Sequence, residues 1–594
     1  MCGILGIIGN KTNSYTGKDI NSALNSLSKR GPDDKGILNF NKCTLGQTRL
    51  SIIDLASGHQ PMKDDKKNIA ITFNGEIYNY KNLKKELETK GYIFSTNSDT
   101  EVILKAYQEY GTNCLDKFEG MFAFAIWDEE KQQLFIARDR FGQKPFYYAF
   151  DDNNNLIFAS EIKALFSLGK LKGEIDFQAV DDFMRLLYIP PYKTIYKNIY
   201  TLKPAHYSII NSKDVNKIET YQYWKLNKKE IDVSYEEAKK KIKDLISKSV
   251  EKRMVADVEV GSMLSGGVDS TLISYIAQKY TNKPLKTFSV GFENFINELP
   301  FAKEASKKIG SDHNELEMNV SISKELKNVY KYLDEPNADA SIIPTYLISK
   351  LSQEKNTKVL LSGDGADELF MGYGWYWKHW NIGWKHKIQN LNFFPKQFRD
   401  YLQSITYIND RERKKLWKNE KRRFPTKATN ETKSSDIQKI NDYDLNMYLP
   451  GDLLSKIDRA SMMKSVEVRS PFLDKELAEF VYNIPTEYKT DKKSGKLILK
   501  DILSEIMPKE FVNRKKQGFG PPINDWIKKE DVKTLIYKSF FSSDALIYSF
   551  LNKKYIQKMI SKFYEKGVKK NGIKIWILLC LELWYKNNMD NIKK

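Results

Sequence analysis

Four cysteines in 594 residues, Cys2, Cys43, Cys114 and Cys580, are too few and too scattered for a disulfide framework, and none forms a Cys-x-x-Cys pair. That scarcity favours a reducing, cytoplasmic setting. Histidine is nearly as rare, with five residues, which disfavours a histidine-based triad or a zinc site. The apolar stretch 573–585 is interrupted by Lys574 and Glu582 and is shorter than the roughly 20 residues of a bilayer span. A buried core helix is expected there instead. The chain opens without a basic segment leading into an apolar run, so no signal peptide is expected. Internal repeats, zinc-finger spacing and the Gly-Lys-Ser/Thr of a P-loop are also missing.

What is present is length, apolar content and positive charge. A chain of 594 residues exceeds what one hydrophobic core organises, so two or more domains are expected. The formal charge of +20 is spread along the chain, with one dense run at Arg411-Glu412-Arg413-Lys414-Lys415 and Lys421-Arg422-Arg423. Without a nucleic-acid motif beside it, this reads as a solvated lysine-rich surface, with no specific nucleic-acid partner.

Residues 3–9 read as a buried strand, and 19–29 as a helix with Ile20, Ala23, Leu24 and Leu27 on one side. Strands are expected at 44–53, 69–73, 121–128, 133–137 and 145–149, and helices at 79–90 and 101–110. The polar link at 127–132 reads as a hairpin, which makes this first domain partly antiparallel. It is expected to cover 2–205, with a connector at 206–233. Ser234 and Glu237 then form a capping box, and a second domain covers 234–594. Its strands at 258–264, 285–291 and 358–361 alternate with helices, the pattern of a parallel sheet covered on both faces. Beyond about residue 373 the pattern turns helical.

The strand ending at Leu264 runs into Ser265-Gly266-Gly267-Val268-Asp269-Ser270 and then a helix. The glycines let the backbone approach an anion, the serines offer hydroxyls and the helix N-terminus offers free N–H groups. An acidic Asp269 in a phosphate grip requires a cation between them, and Mg²⁺ fits. A second loop, Ser362-Gly363-Asp364-Gly365-Ala366-Asp367-Glu368, also follows a strand. The ends of parallel strands share one crevice, so Asp367 can share the metal with Asp269. At the other end Cys2 becomes terminal if Met1 is removed. Its own α-amine would then serve as the base, and no histidine is needed.

These stretches resemble the glutamine-hydrolysing asparagine synthetases over nearly the whole chain. The two loops look like the family's ATP signatures. Met447-Tyr448-Leu449-Pro450, Lys456-Ile457-Asp458-Arg459-Ala460-Ser461-Met462 and Glu467-Val468-Arg469-Ser470-Pro471-Phe472-Leu473-Asp474 match its helical region. The resemblance implies an N-terminal-nucleophile hydrolase sandwich followed by an adenine-nucleotide α-hydrolase-like (PP-loop) domain, an α+β unit joined to an α/β unit. It implies ATP as substrate, with Leu264, Ser265, Gly266, Gly267, Asp269, Ser270, Val290, Ser362, Gly363 and Lys496 at the nucleotide. Lys496 would offset charge on the leaving pyrophosphate, and Asp364 would take a proton from attacking ammonia or orient it.

In the glutaminase half Arg49, Asn74-Gly75-Glu76 and Ser98-Asp99 carry the resemblance, together with a Gly31-Pro32-Asp33 turn. It implies that Arg49 pairs with the α-carboxylate of glutamine and that Asp99, with Glu76 nearby, holds the α-ammonium. By the same resemblance, Asn74 and the Gly75 N–H would form the oxyanion hole for attack by Cys2. It also implies an ammonia tunnel and, as in many relatives, a homodimer. Two positions depart from the common pattern: Met371 in Phe370-Met371-Gly372-Tyr373, where relatives commonly have Gly-Gly-Tyr, and Asn337, which replaces a common Phe. Aspartate is the expected acceptor. Another carboxylate, such as a sugar acid of a surface polysaccharide, is the alternative. An inactive scaffold is a further one, as is a β-lactam-forming enzyme, although such relatives usually lose the terminal cysteine.

Overall fold

The computed structural model describes residues 1–64, 68–291, 298–317, 320–377, 401–418, 436–514, 520–541 and 545–593. Lys421-Arg422-Arg423 lie outside the described residues.

The N-terminal half is two antiparallel sheets packed face to face. Its strands are β1 (Gly3–Ile8), β2 (Asp34–Asn39), β3 (Cys43–Arg49), β4 (Met62–Asp64), β5 (Ile69–Ile77) and β6 (Gly120–Asp128). They continue with β7 (Gln133–Arg138), β8 (Tyr147–Phe150), β9 (Leu156–Ala159), β10 (Ile199–Thr201), β11 (His206–Asn211) and β12 (Thr220–Gln222). One sheet runs β10-β8-β9-β1-β3-β2 and the other β12-β11-β7-β6-β5-β4.

Side chains alternate along each strand, so one strand serves two layers. Ile4 and Ile8 of β1 meet Ala123, Ala125 and Trp127 of β6 between the sheets. Leu5 and Ile7 face outward, in one cluster with Leu24 and Leu165 of the helices Gly17–Ser26 and Ile162–Ser167. Phe73, Phe122 and Phe124 face the helix Asp99–Tyr110 on the other side. The result is a helix–sheet–sheet–helix sandwich with β1 buried at its centre.

Part of the stretch expected as a connector, 206–233, is paired. β11 pairs with β7 and with β12, so 206–222 extends the second sheet and we place the end of the first unit near residue 222. Both are edge elements of mixed polarity, which leave little periodic signal. The strand expected at 44–53 stops at Arg49, because the chain then curls round that side chain and Asp54 takes a positive φ of 52°.

The second half is built on β13 (Val260–Met263), β14 (Lys286–Gly291), β15 (Asp312–Glu317), β16 (Val359–Leu361) and β17 (Glu467–Arg469). These pair in parallel in the order β15-β14-β13-β16-β17. The order reverses at β13, so the chain leaves its neighbours β13 and β16 in opposite directions and opens a crevice at their carboxyl ends. Helices cover the faces, beginning with Tyr235–Arg253. Ser234 and Glu237 cap it reciprocally, Ser234 N donating to Glu237 Oε2 at 3.0 Å and Glu237 N to Ser234 Oγ at 3.3 Å.

The C-terminal apolar run is the buried helix Gly572–Asn588. Both of its interrupting charges are used: Glu582 accepts the N–H groups of Leu546 and Ile547, and Lys574 pairs with Glu412. No helix among the described residues is long and apolar enough to cross a membrane. Of the basic run, Arg413 is buried against Asp181 at 2.9 Å.

Candidate active sites

β1 places Cys2 at the entrance of the sandwich, buried, with its backbone N–H donating to Asn74 Oδ1 at 2.9 Å. Asn74 projects from β5, and its Nδ2 is buried without a hydrogen-bond partner. A buried amide left undonated costs about 1–3 kcal/mol, a cost that a bound acceptor would relieve. Gly75 has φ +150°, and a Cβ there would lie 2.0 Å from the Met121 carbonyl oxygen, so only glycine fits. Burial pushes the Cys2 thiol up, partly countered by the N-terminal ammonium, the Leu50 N–H, Arg49 and Gln47. A thiol so placed needs a base. The α-amine exposed by removal of Met1 would be formed at the nitrogen that now meets Asn74.

Arg49 ends β3 and is buried; its Nη2 donates to the carbonyls of Ile53 (2.9 Å) and Asp54 (2.7 Å). It makes no ion pair with a carboxylate among the described residues. Asp99 opens a helix and accepts the Ile77 N–H at 3.0 Å; burial pushes it up to about 6. Glu76 is buried alongside, held well above the usual carboxylate range by burial and by Glu467. Its Oε1 lies 3.6 Å from Arg469 Nη2, while its Oε2 has no hydrogen-bond partner.

Two residues of the last signature, given no role from the sequence, come from the other half of the molecule. Glu467 and Arg469 of β17 form the floor beneath Glu76, with Arg469 Nε on Glu467 Oε1 at 2.7 Å and the Met1 ammonium on Glu467 Oε2 at 3.1 Å. Both are fully buried. The Gly31 turn also reaches across. Arg30 donates from Nε to the Cys2 carbonyl at 3.0 Å and from its two terminal nitrogens to Asp458 at 2.8 and 3.1 Å. Asp33 accepts the Ser51 N–H at 2.8 Å, bracing the segment after Arg49.

At the parallel sheet, Leu264 is buried and hydrogen-bonded to Phe288 across to β14. Ser265 and Ser270 hydroxyls lie 3.1 Å apart, and Gly267 N–H donates to Ser265 Oγ at 3.3 Å. The helix Val268–Gln278 starts there, with Asp269 in its first turn. Ser362 follows β16 and donates to the Arg469 carbonyl at 2.9 Å, so this loop rests on β17. A Cβ on Gly363 would lie 2.8 Å from Asp269 Cβ, which is how closely the two loops touch.

Lys496 closes the crevice, with its Nζ 2.5 Å from Asp269 Oδ2 and 2.8 Å from Asp367 Oδ1. It does so from a left-handed backbone (φ 59°), a strain typical of functional positions. Gly372 makes room for it: a Cβ there would sit 2.1 Å from Asp367 Oδ1 and 2.2 Å from Lys496 Cε. Asp364 is half-buried, and burial raises it despite a hydrogen bond from Ser362 and the nearby Lys456. Glu368 is turned away, fully buried and accepting the Tyr373 hydroxyl at 2.5 Å; burial and Asp367 push it up to about 8. Val290 is buried in β14, beside β13 at the same end of the sheet, so its backbone borders the crevice.

Two hard carboxylates facing one cation are the donor set that Mg²⁺ uses when phosphates complete its shell. Asp269 and Asp367 therefore fit it, with Lys496 the cation that now spans them.

Between the two ends lies a polar seam. Arg459 Nη2 meets Glu335 at 2.6 Å and Tyr147 at 2.7 Å. Two cavities of about 20 and 40 Å³ share Pro145, Tyr147, Asp458 and Arg459 in their walls. The larger also reaches Asn337, whose Nδ2 donates to buried Asp452 at 3.0 Å. Such volumes admit water-sized molecules. The signature Met447 to Pro450 lies on a π-helical stretch, Asp444–Leu453, in which Pro450 has no N–H to give.

The sequence profile described as asparagine synthase matches residues 241–586, and that of a glutamine amidotransferase domain matches 1–224. The chain is 33% identical to glutamine-hydrolysing asparagine synthetase 1 of Bacillus subtilis (strain 168), covering 99% of this chain and 97% of that protein. Synthetase 3 of the same organism is 31% identical, covering 89% of each. A glutamine-hydrolysing asparagine synthetase 3 of Arabidopsis thaliana is 28% identical over 89% of this chain and 80% of that one. A solved structure of the allosteric regulatory enzyme of purine biosynthesis is 17% identical, with a TM-score of 0.30 over 61% of this chain and 80% of that one. Matched in both halves and along nearly its whole length, the chain belongs to the asparagine synthase family, with a glutamine amidotransferase domain at its N-terminal end.

Proposed function

We propose that the protein is a glutamine-dependent asparagine synthetase. The observation that carries this reading is the seam itself. One guanidinium, Arg30, ties the carbonyl of the nucleophile Cys2 to Asp458 of the synthetase region, so the two sites form one device.

Glutamine enters with its α-carboxylate on Arg49 and its α-ammonium between Asp99 and Glu76. The Cys2 thiol attacks the side-chain amide, the α-amine taking the proton, and Asn74 Nδ2 and the Gly75 N–H hold the oxyanion. Collapse, with that proton passed from the α-amine to the leaving nitrogen, releases ammonia, and water then frees glutamate from the thioester. Cavities of water size along the seam support passage of ammonia as the neutral base. In bulk water at neutral pH it would be mostly ammonium.

At the parallel sheet, the acceptor carboxylate attacks the α-phosphate of ATP and pyrophosphate leaves. The loop N–H groups and Lys496 hold the departing phosphates. Mg²⁺, on Asp269 and Asp367, would neutralise their charge when bound. Ammonia then attacks the acyl-adenylate, with Asp364 taking its proton, to give the amide and AMP. The partners of this reading are glutamine, ATP and aspartate. Four unpaired, buried cysteines support a cytoplasmic setting, and a homodimer is checked by light scattering.

The test supplies purified protein with ¹⁵N-amide glutamine, Mg-ATP and aspartate. Labelled asparagine with equal AMP and pyrophosphate is expected, and Cys2→Ala should make asparagine only from added ammonia. Glutamate without asparagine would sink aspartate as the acceptor and turn the search to other carboxylates, sugar acids among them. Absence of both glutaminase and pyrophosphate release would make the protein a scaffold.

A further inference from the structure

Arg514 follows the short helix Lys509–Asn513, 248 residues along the chain from Gly266, yet it reaches the pyrophosphate loop. Its guanidinium lies between two rings, 4.1 Å from the centroid of Phe301 and 4.6 Å from that of Phe511. From that slot Nη2 donates to the Gly266 carbonyl at 2.5 Å, and Nη1 to the Phe511 carbonyl at 3.1 Å. Arg514 makes no ion pair among the described residues. Its hydrogen bonds go to backbone oxygens and its faces to aromatic rings, with the charges of Glu298 and Glu304 nearby.

The Gly266 peptide needs such a hold. Gly266 has φ +73°, and a Cβ there would lie 2.5 Å from the Phe301 carbonyl carbon, so the loop is pressed against the start of the helix Leu299–Ile309. In a trans peptide the carbonyl of one residue and the N–H of the next point in opposite directions. Holding the Gly266 oxygen on Arg514 therefore aims the Gly267 N–H to the other side. There it meets Ser265 Oγ at 3.3 Å, at the head of the helix Val268–Gln278. With two glycines in the loop, rotation of this peptide is cheap. The rotated form would present a carbonyl oxygen to the phosphates.

We infer that Arg514 is a positioning residue for the nucleotide: it locks the Gly266–Gly267 peptide so that an N–H, not a carbonyl, faces the triphosphate. This rests on the reading above that the loop takes ATP. It goes beyond that reading in placing the device outside the loop, on the far C-terminal helices.

The experiment compares wild type, R514A and R514K for Mg-ATP affinity by calorimetry, for the KM of ATP in pyrophosphate release, and for glutaminase kcat/KM. A charge-assisted hydrogen bond is worth about ten- to a hundredfold, so R514A should bind Mg-ATP weaker by about that factor. AMP affinity and glutaminase should be unchanged. R514K, which keeps a donor and the charge, should recover part of the loss, as should millimolar guanidinium added to R514A. Unchanged Mg-ATP affinity in R514A overturns the assignment. So does an equal fall in glutaminase, because that reports lost folding. If R514A does not fold, R514K decides, with a several-fold loss of Mg-ATP affinity expected and no loss overturning. A wild type that binds Mg-ATP but makes no asparagine sinks the proposed function and leaves the same affinity comparison to judge Arg514.

Discussion

Asp99 takes the Ile77 N–H on one side, and burial with Glu467 nearby pushes it up to about 6. It can hold an ammonium only when ionised. Glutaminase kcat/KM should therefore fall as pH drops through about 6, and Asp99→Asn should flatten that limb while raising the KM for glutamine; a pH–rate profile checks both. The stability consequence has the opposite sign. A raised carboxyl pKa favours the folded state below the unfolded value near 3.9, and that contribution is lost as pH rises to about 6. At Met371 two local terms compete. Its φ of +52° costs about 1 kcal/mol relative to glycine, but its side chain is fully buried with Tyr376, Tyr401 and Ile440. Removing such a side chain costs about 2–5 kcal/mol, so Met371→Gly should destabilise by roughly 2 kcal/mol, read as a lower urea midpoint. The departure from Gly-Gly-Tyr is thus a packing choice.

At the scale of elements, the turn at Gly372 decides whether Lys496 can lie between Asp269 and Asp367. An added methyl would meet the Lys496 stem and the Asp367 carboxylate. Both are side-chain ends that can swing away, so Gly372→Ala should fold, lower the synthetase kcat by about 10²-fold or more, and leave glutaminase unchanged. Paired assays of the two half-reactions check this. β17 shows why some elements could not be read from the sequence. Its Glu-Val-Arg has no apolar run, although all three residues are buried in a parallel sheet. It is a strand because Lys358 and Ser362 of the neighbouring segment supply its backbone partners and Arg253, Val255 and Glu76 receive its arginine. β10 and β12 are three-residue edge strands, held by one neighbour each and too short to carry a period. By contrast β1, β6 and β13, and the capped helix Tyr235–Arg253, were legible, because burial on both faces or an explicit cap writes itself into the local sequence.

For the whole molecule, the Arg30–Asp458 pair is where the halves meet. Burial works against the Asp458 carboxylate, but Arg30 and then Lys144 hold it below its usual range. A depressed carboxyl stabilises the fold above its unfolded value near 3.9, and the contribution is lost as pH falls through the lower folded value. Asp458→Asn leaves Arg30 buried with only Glu161 at 3.2 Å, and should cost about 3 kcal/mol in unfolding free energy. Because Arg30 also holds the Cys2 carbonyl, glutamine-dependent synthesis should fall further than ammonia-dependent synthesis; comparing the two nitrogen sources checks this.

The sequence by itself determined the two-part architecture and the two loops that follow strands of the parallel sheet, Ser265–Ser270 and Ser362–Glu368, since each loop is written by neighbours within a few residues; Cys2 and Asn74 stand 72 positions apart and were joined only by the family resemblance. Only the tertiary structure decided that Lys496 spans Asp269 and Asp367, that Glu467 and Arg469 pack against Glu76, and that Arg514 holds Gly266. Those contacts join residues more than 100 positions apart in the chain. Spacing along a chain constrains what lies within a turn or a strand. Which distant charge fills a buried vacancy is set by how the layers pack.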